Sequence, residues 1–174
     1  MPGPVFLEGE KVELRTIEEE DLEFLQEGVN HPDVRVHTGN RLPQNMENER
    51  EFFDEHICND ESLDLLICDG DTPMGIITLD KDETKKVGVL GIWIHPDFHG
   101  KGFGTAASRL LIEHSFNQLN YHKVWARVHS DNEPSQNLWE KLGFKQEAEL
   151  RQHTYTMGEY KDVYMYGLLR GEWK

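Results

Sequence analysis

His99, Gly100, Lys101, Gly102, Phe103 and Gly104 stand in a row, shortly after an uncharged apolar run from Gly88 to Ile94. His95, Pro96 and Asp97 separate the two. An amphipathic pattern follows at once, with Phe103, Ala106, Ala107, Leu110 and Leu111 spaced as one helical face. The stretch therefore reads as strand, glycine turn, helix. A helix start leaves backbone N–H groups unpaired and carries partial positive charge. Glycine there lets a bound phosphate approach the backbone closely. The chemistry this predicts is an anion cradle, with the pyrophosphate of a nucleotide-like cofactor as its anion.

A second group of chemistry-bearing residues follows. Asp131-Asn132-Glu133-Pro134 is a helix start with proline in the first turn. Ser135 comes next, then Leu138, Trp139 and Leu142 on an apolar face, and Gly143 stops the helix. Histidines invite a metal reading, but His95 and His99 have Pro96 between them and Gly100 after them. With no supporting cysteine or carboxylate spacing, no metal site is expected.

The elements that must position these groups are legible around them. Val5 to Arg15 reads as a first strand, and Thr16 with Glu19 as a capping box for a helix over Leu22, Leu25 and Val29. Asn30-His31-Pro32 ends that helix, Asp33 to Leu42 is a short helix or loop, and Gln44 to His56 is a second helix. Leu63–Cys68 and Met74–Leu79 form a hairpin about Asp69 to Pro73. The glycine-turn unit follows. Then come a strand over Lys123–His129 with Val124, Ala126 and Val128 on one face, the Asn132 helix, and strands over Phe144–Thr156 and Val163–Leu169. The expectation is a single α/β (α+β) domain over residues 1–174. It would be built on a mixed sheet of about seven strands with four helices. A Rossmann site would need repeated βαβ units, which this order lacks.

Composition sets further bounds. The chain has 174 residues, with 33 acids against 18 bases and a net charge of −15. So acidic a protein is a poor holder of nucleic-acid phosphates. Either the charge is a solvated surface, or it steers a cationic amine substrate. Cys58 and Cys68 have neither zinc nor redox spacing, and no apolar run approaches a membrane span. The expectation is a cytoplasmic protein with no membrane and no nucleic-acid partner.

With this order in place, the chain resembles the GNAT superfamily of N-acetyltransferases over nearly its whole length. The family's cofactor signature is Gln or Arg, two residues, Gly, one residue, then Gly or Ala. Here it falls on His99, Gly102 and Gly104, with His99 in place of the Gln or Arg. The segment from Asn132 and Ser135 to Glu140-Lys141-Leu142-Gly143-Phe144 resembles the family's second motif. The opening Glu8 to Arg15 and the tail from Leu150 to Trp173 look like the RimJ/RimL-type branch.

The resemblance implies a mostly antiparallel sheet, splayed between its fourth and fifth strands. It implies acetyl-CoA as co-substrate, held by Ile92, Trp93, Ile94, His99, Gly100, Lys101, Gly102, Phe103, Gly104, Thr105 and Asn132. The acceptor would be a protein N-terminal α-amine or a small polyamine- or aminoglycoside-type amine, taken by direct transfer by a monomer or homodimer. The substrate-facing loops would be residues 30–45 and 154–161. Many relatives have a Tyr acid seven residues after the Asn, where Trp139 stands here, and some a Glu base five residues before it, where Arg127 stands. Some pair the helix Ser with a Glu on the next strand, at the position of Thr154. Ser135 is left as the general-acid candidate, and no base is identified: a water relay to Glu13 or Glu149 would serve, and an amine that arrives already neutral would need none. The alternative is a non-catalytic acetyl-CoA-binding regulatory module.

Overall fold

The structure is a computed structural model and describes residues 2–174. One eight-stranded sheet runs through it in the order β1-β2-β3-β4-β5-β6-β8-β7. The strands are β1 (Val5–Glu8), β2 (Glu13–Arg15), β3 (Ser62–Asp69), β4 (Thr72–Asp82), β5 (Val87–Ile94), β6 (Lys123–His129), β7 (Lys145–Thr156) and β8 (Glu159–Leu169). Five α-helices accompany them: α1 (Leu22–Asn30), α2 (Pro32–Thr38), α3 (Met46–Phe52), α4 (Phe103–Asn117) and α5 (Glu133–Lys141).

The α/β, mostly antiparallel architecture is the one expected, with two differences of count. The expected first strand is a hairpin, because Gly9 turns the chain and its N–H closes on the Val12 carbonyl at 3.0 Å. That makes eight strands rather than seven. The stretch after His31 is helical, which makes five helices rather than four. Pro32 in the first turn and the His31 ring accepting from the Asp33 N–H start α2, and Gly39 at φ 82° ends it. The capping box before α1 also lies two residues on from the expected place, at Glu18 and Asp21, and opens a 3₁₀ turn. Thr16 instead donates its hydroxyl to Glu18.

Every strand pair is antiparallel except β5–β6. That parallel junction has three register pairs, Val87–Lys123, Gly88–Val124 and Val89–Trp125. Beyond Val89 the two strands part, so the sheet is splayed between the two strands expected to diverge.

Both faces of the sheet are buried at β3, which explains the near-continuous apolar run of that strand. Leu65 and Ile67 feed one core with Ala107, Leu111, Ile112 and Phe116 of α4 and Trp139 of α5. Leu66 and Cys68 feed the other with Leu22 and Leu25 of α1 and with Met46, Phe53 and Trp93. Along β6, Val124, Ala126 and Val128 belong to the α4 core, as the alternation predicts.

Candidate functional site

The candidate site is the place where β5 and β6 part. The His95 N–H donates to the Met74 carbonyl of β4 at 2.8 Å. Backbone groups alternate in direction along a strand. Those of Ile92 and Ile94 therefore point away from β4, into the gap. The His99 ring confirms the direction, since its Nε2 lies 2.7 Å from the Ile94 carbonyl oxygen. His99 at the signature's leading position thus folds back on the strand that precedes the turn.

The turn has the geometry of a cradle. Gly100 and Gly102 sit at φ 73° and 78°, in the left-handed region that disfavours other residues. Gly102 is the N-cap of α4, so the N–H groups of Phe103, Gly104 and Thr105 open the helix unpaired. Gly104 is where three elements meet. A Cβ there would lie 3.1 Å from Leu138 Cδ1 of α5 and 3.7 Å from both Ile92 Cδ1 and Ile94 Cγ1 of β5. Its missing side chain lets the start of α4, the helix α5 and the lip of β5 pack together. Two cations attend the turn. Lys101 Nζ donates to the Asp97 carbonyl at 3.0 Å. Lys11, from the β1–β2 turn, stands 5.6 Å from the Phe103 ring centroid and 3.3 Å from where a Gly102 Cβ would be. Nothing in the local sequence links Lys11 to the glycines, because the hairpin that delivers it was not expected.

The remaining candidates divide. Asn132 is the N-cap of α5, and its Oδ1 accepts from the Ser135 N–H at 3.3 Å. Ser135 is half-buried on the first turn. Trp139 is 2% exposed and stacks near Phe144 at 4.9 Å between ring centroids, so it belongs to the core and not to the gap. Arg127 is exposed on β6, and Thr154 lies opposite Lys161 in the outer β7–β8 pair. The structure does not bring the two suggested relay carboxylates to the gap. Glu13 is on β2, three strands from β5, and accepts from Arg15 Nε at 2.8 Å. Glu149 is on β7, the sheet edge two strands from β6.

On the α1 face of the gap, Trp93 packs against Phe24, with ring centroids 5.8 Å apart, and against Gly28. Further round α1, Glu23, Gln26, Glu27, Asn30 and His31 line an open hollow. The His31 ring lies 5.5 Å from that of His95 at the end of β5. Sequence reasoning also missed a polar cluster of His37, His129 and Asp131, whose ligand-type atoms all lie within 4.8 Å of one another. Lys161 Nζ holds the Asp131 carboxylate at 2.6 Å. Burial pushes the Asp131 carboxyl up, but the hydrogen bond and charge of Lys161 outweigh it and hold the group below its usual range. Burial, reinforced by the neighbouring His37, pushes the His129 imidazole below its ordinary value.

Comparison with known proteins decides the family. The acetyltransferase (GNAT) domain matches residues 11–145. The chain belongs to the GNAT acetyltransferase family. An uncharacterised, SPbeta prophage-derived N-acetyltransferase of Bacillus subtilis, YokL, is 31% identical over 95% of this chain and 94% of its own. Spermidine N(1)-acetyltransferase of Escherichia coli is 26% identical, with 87% and 82% covered. Among solved structures, spermidine N-acetyltransferase of Vibrio cholerae in complex with CoA and spermine superposes with a TM-score of 0.89 at 23% identity. That match covers 94% of this chain and 98% of the other. This GNAT chain is accordingly an acyltransferase acting on amines with acetyl-CoA as donor. Among the described residues, no helix is long and apolar enough to cross a membrane.

Proposed function

We propose that the chain transfers the acetyl group of acetyl-CoA to a primary amino group of a small cationic polyamine. The observation that carries the reading is the parting of the sheet, with strand backbone that no neighbouring strand pairs on one lip, the Ile94 carbonyl there held by the His99 ring, and the glycine turn at its rim. The N–H groups of Phe103, Gly104 and Thr105, with Gly100, Lys101, Gly102 and Lys11, suit a pyrophosphate. The backbone of Ile92 and Ile94 suits an extended pantetheine arm and the thioester carbonyl, which a hydrogen-bond donor polarises. Asn132 commits its oxygen to the helix cap and keeps its amide N–H groups for the same arm. Acetyl-CoA supplies an activated acyl carbon, and the protein's part is to hold it beside the amine and manage two protons. Ser135, at the start of α5, is the candidate for protonating the leaving thiolate.

The polyamine class follows from charge. Glu23 and Glu27 stand one turn apart on α1 and line a hollow together with His31, whose ring lies 5.5 Å from that of His95. A net charge of −15 draws cations toward the protein from further out. The spermidine acetyltransferase of Escherichia coli supports the same class, and the tail motifs support a place in the RimJ/RimL-type branch.

Thiol release from acetyl-CoA, followed with spermidine, spermine, an aminoglycoside and a set of N-terminal peptides, tests the reading. Turnover with the polyamines is expected to exceed that with peptides at equal concentration. Preference for peptides would move the acceptor to protein N-termini. Measured acetyl-CoA binding with no turnover on any amine would leave a non-catalytic binding module, and no binding at all would sink the proposal.

A further inference from the structure

No residue assigned so far takes the proton that the acceptor amine must lose, and the candidates suggested by the sequence lie elsewhere. The register of the parallel junction points to another group. Val89 pairs with Trp125, and four residues further along each strand stand Trp93 and His129. In-register residues of parallel strands share a face, and even steps preserve it. Trp93 and His129 therefore occupy matching positions on the two lips of the gap, on one face of the sheet. That face is the one covered by α1, where Trp93 meets Phe24. It is opposite the α4 face, which holds Val124, Ala126 and Val128.

We infer that His129 is the general base, accepting a proton from the acceptor amine at the lip of β6. The inference rests on the proposed acetyl transfer. Its second support is that His129 Nδ1 is shielded from solvent and has no hydrogen-bond partner. Buried polar nitrogens are normally satisfied, so no existing hydrogen bond competes for this ring nitrogen. The groups facing it are His37 of α2, with ring centroids 6.1 Å apart, Asp131 just beyond β6, Lys161 of β8 and Arg127 on its own strand. Asp131 is already taken by Lys161. Burial and the cationic neighbours favour the neutral imidazole, the form with a free lone pair.

The step balances. The ammonium gives one proton to the His129 ring and becomes a neutral amine. The amine nitrogen forms the C–N bond to the acyl carbon as the C–S bond breaks, and a second proton from that nitrogen ends on the departing thiolate. The imidazolium then returns its proton to solvent.

The test compares wild type, His129→Gln and His37→Gln across pH with spermidine. The wild-type kcat/KM should rise with pH through one ionisation below 6.5, the ordinary histidine value. His129→Gln should lose roughly 100-fold or more of kcat/KM near pH 7 and the ionisation with it, while acetyl-CoA affinity by calorimetry stays within twofold. His37→Gln should move the midpoint upward, since the neighbouring His37 ring helps to push the His129 imidazole down. Ring C–H NMR of His129 in the wild type should titrate at the kinetic midpoint. The role is overturned by a His129→Gln enzyme within a few-fold of wild type, by a ring titration that misses the kinetic midpoint, or by a midpoint that ignores His37. A limb abolished by chelator and restored by zinc would give the cluster to a metal ion and overturn it too. A wild type that binds acetyl-CoA but acetylates no amine would remove the transfer activity and this role together. An active wild type with an undiminished variant would remove only the role.

Discussion

At the scale of single residues, the glycine turn and the cluster at His129 show opposite relations between sequence and site. Gly102 was legible because its reason is local: a left-handed φ of 78° at the N-cap of a helix. Gly102→Val should place a branched side chain in a backbone region that disfavours it, facing Lys11. The expected outcome is loss of acetyl-CoA binding by more than tenfold in calorimetry, with the chain still folded by circular dichroism. Unchanged affinity would remove the turn from the cofactor site. His129 was not legible, because a histidine ending an alternating strand has no local signature. Its meaning comes from His37, delivered by a helix the sequence left undecided, and from a register that only the folded sheet sets. Trp139, where many relatives carry a Tyr acid, was legible as a core residue, because its place on the apolar face of the Asn132 helix puts its ring against Phe144.

At the scale of elements, the strands and helices with two buried faces or a clear apolar stripe were readable, and the short polar ones were not. The alternation of β6 and the stripe of α4 gave their faces directly. The β1–β2 hairpin did not show, because Glu8-Gly9-Glu10-Lys11 continues the polar texture of the strands it joins. Yet that hairpin carries Lys11 to the start of α4. If the element serves the cofactor, Lys11→Glu should weaken acetyl-CoA binding by about tenfold at low salt, the range expected when one cation beside a phosphate is reversed. Dephospho-CoA should separate its partners. An equal loss with that ligand places Lys11 by the pyrophosphate, and a smaller loss places it by the ribose phosphate. No loss with either would make it a packing residue over Phe103.

At the scale of the whole molecule, fold class and the direction of charge were both readable, because each is a sum over many residues. The order of elements predicted a mixed α/β sheet, the family resemblance added its splay, and the excess of acids made the chain a poor holder of nucleic-acid phosphates. The acidic surface has a kinetic consequence. With a polycationic acceptor, kcat/KM should fall as salt rises from about 20 to 200 mM, since screening shortens the reach of the field. An acceptor of one charge should respond much less. A flat response for spermine and a neutral peptide alike would mean the charge serves solubility alone.

The junction of β5 and β6 has a thermodynamic consequence. Each half of the sheet is closed by its own antiparallel pairs, and three parallel pairs join them. Along the rest of β5 the ladder lacks a neighbour on one side, so an extended pantetheine arm would lie where a ninth strand would. A ligand that supplies missing rungs is part of the folding reaction, as a donated strand is in proteins that complete one another. At a hundredfold excess over its dissociation constant, it would stabilise the native state by about 2.7 kcal/mol. The melting temperature of this protein would then follow the combined concentration of CoA and acetyl-CoA around it, and its resistance to proteolysis would report that pool even when no amine is present.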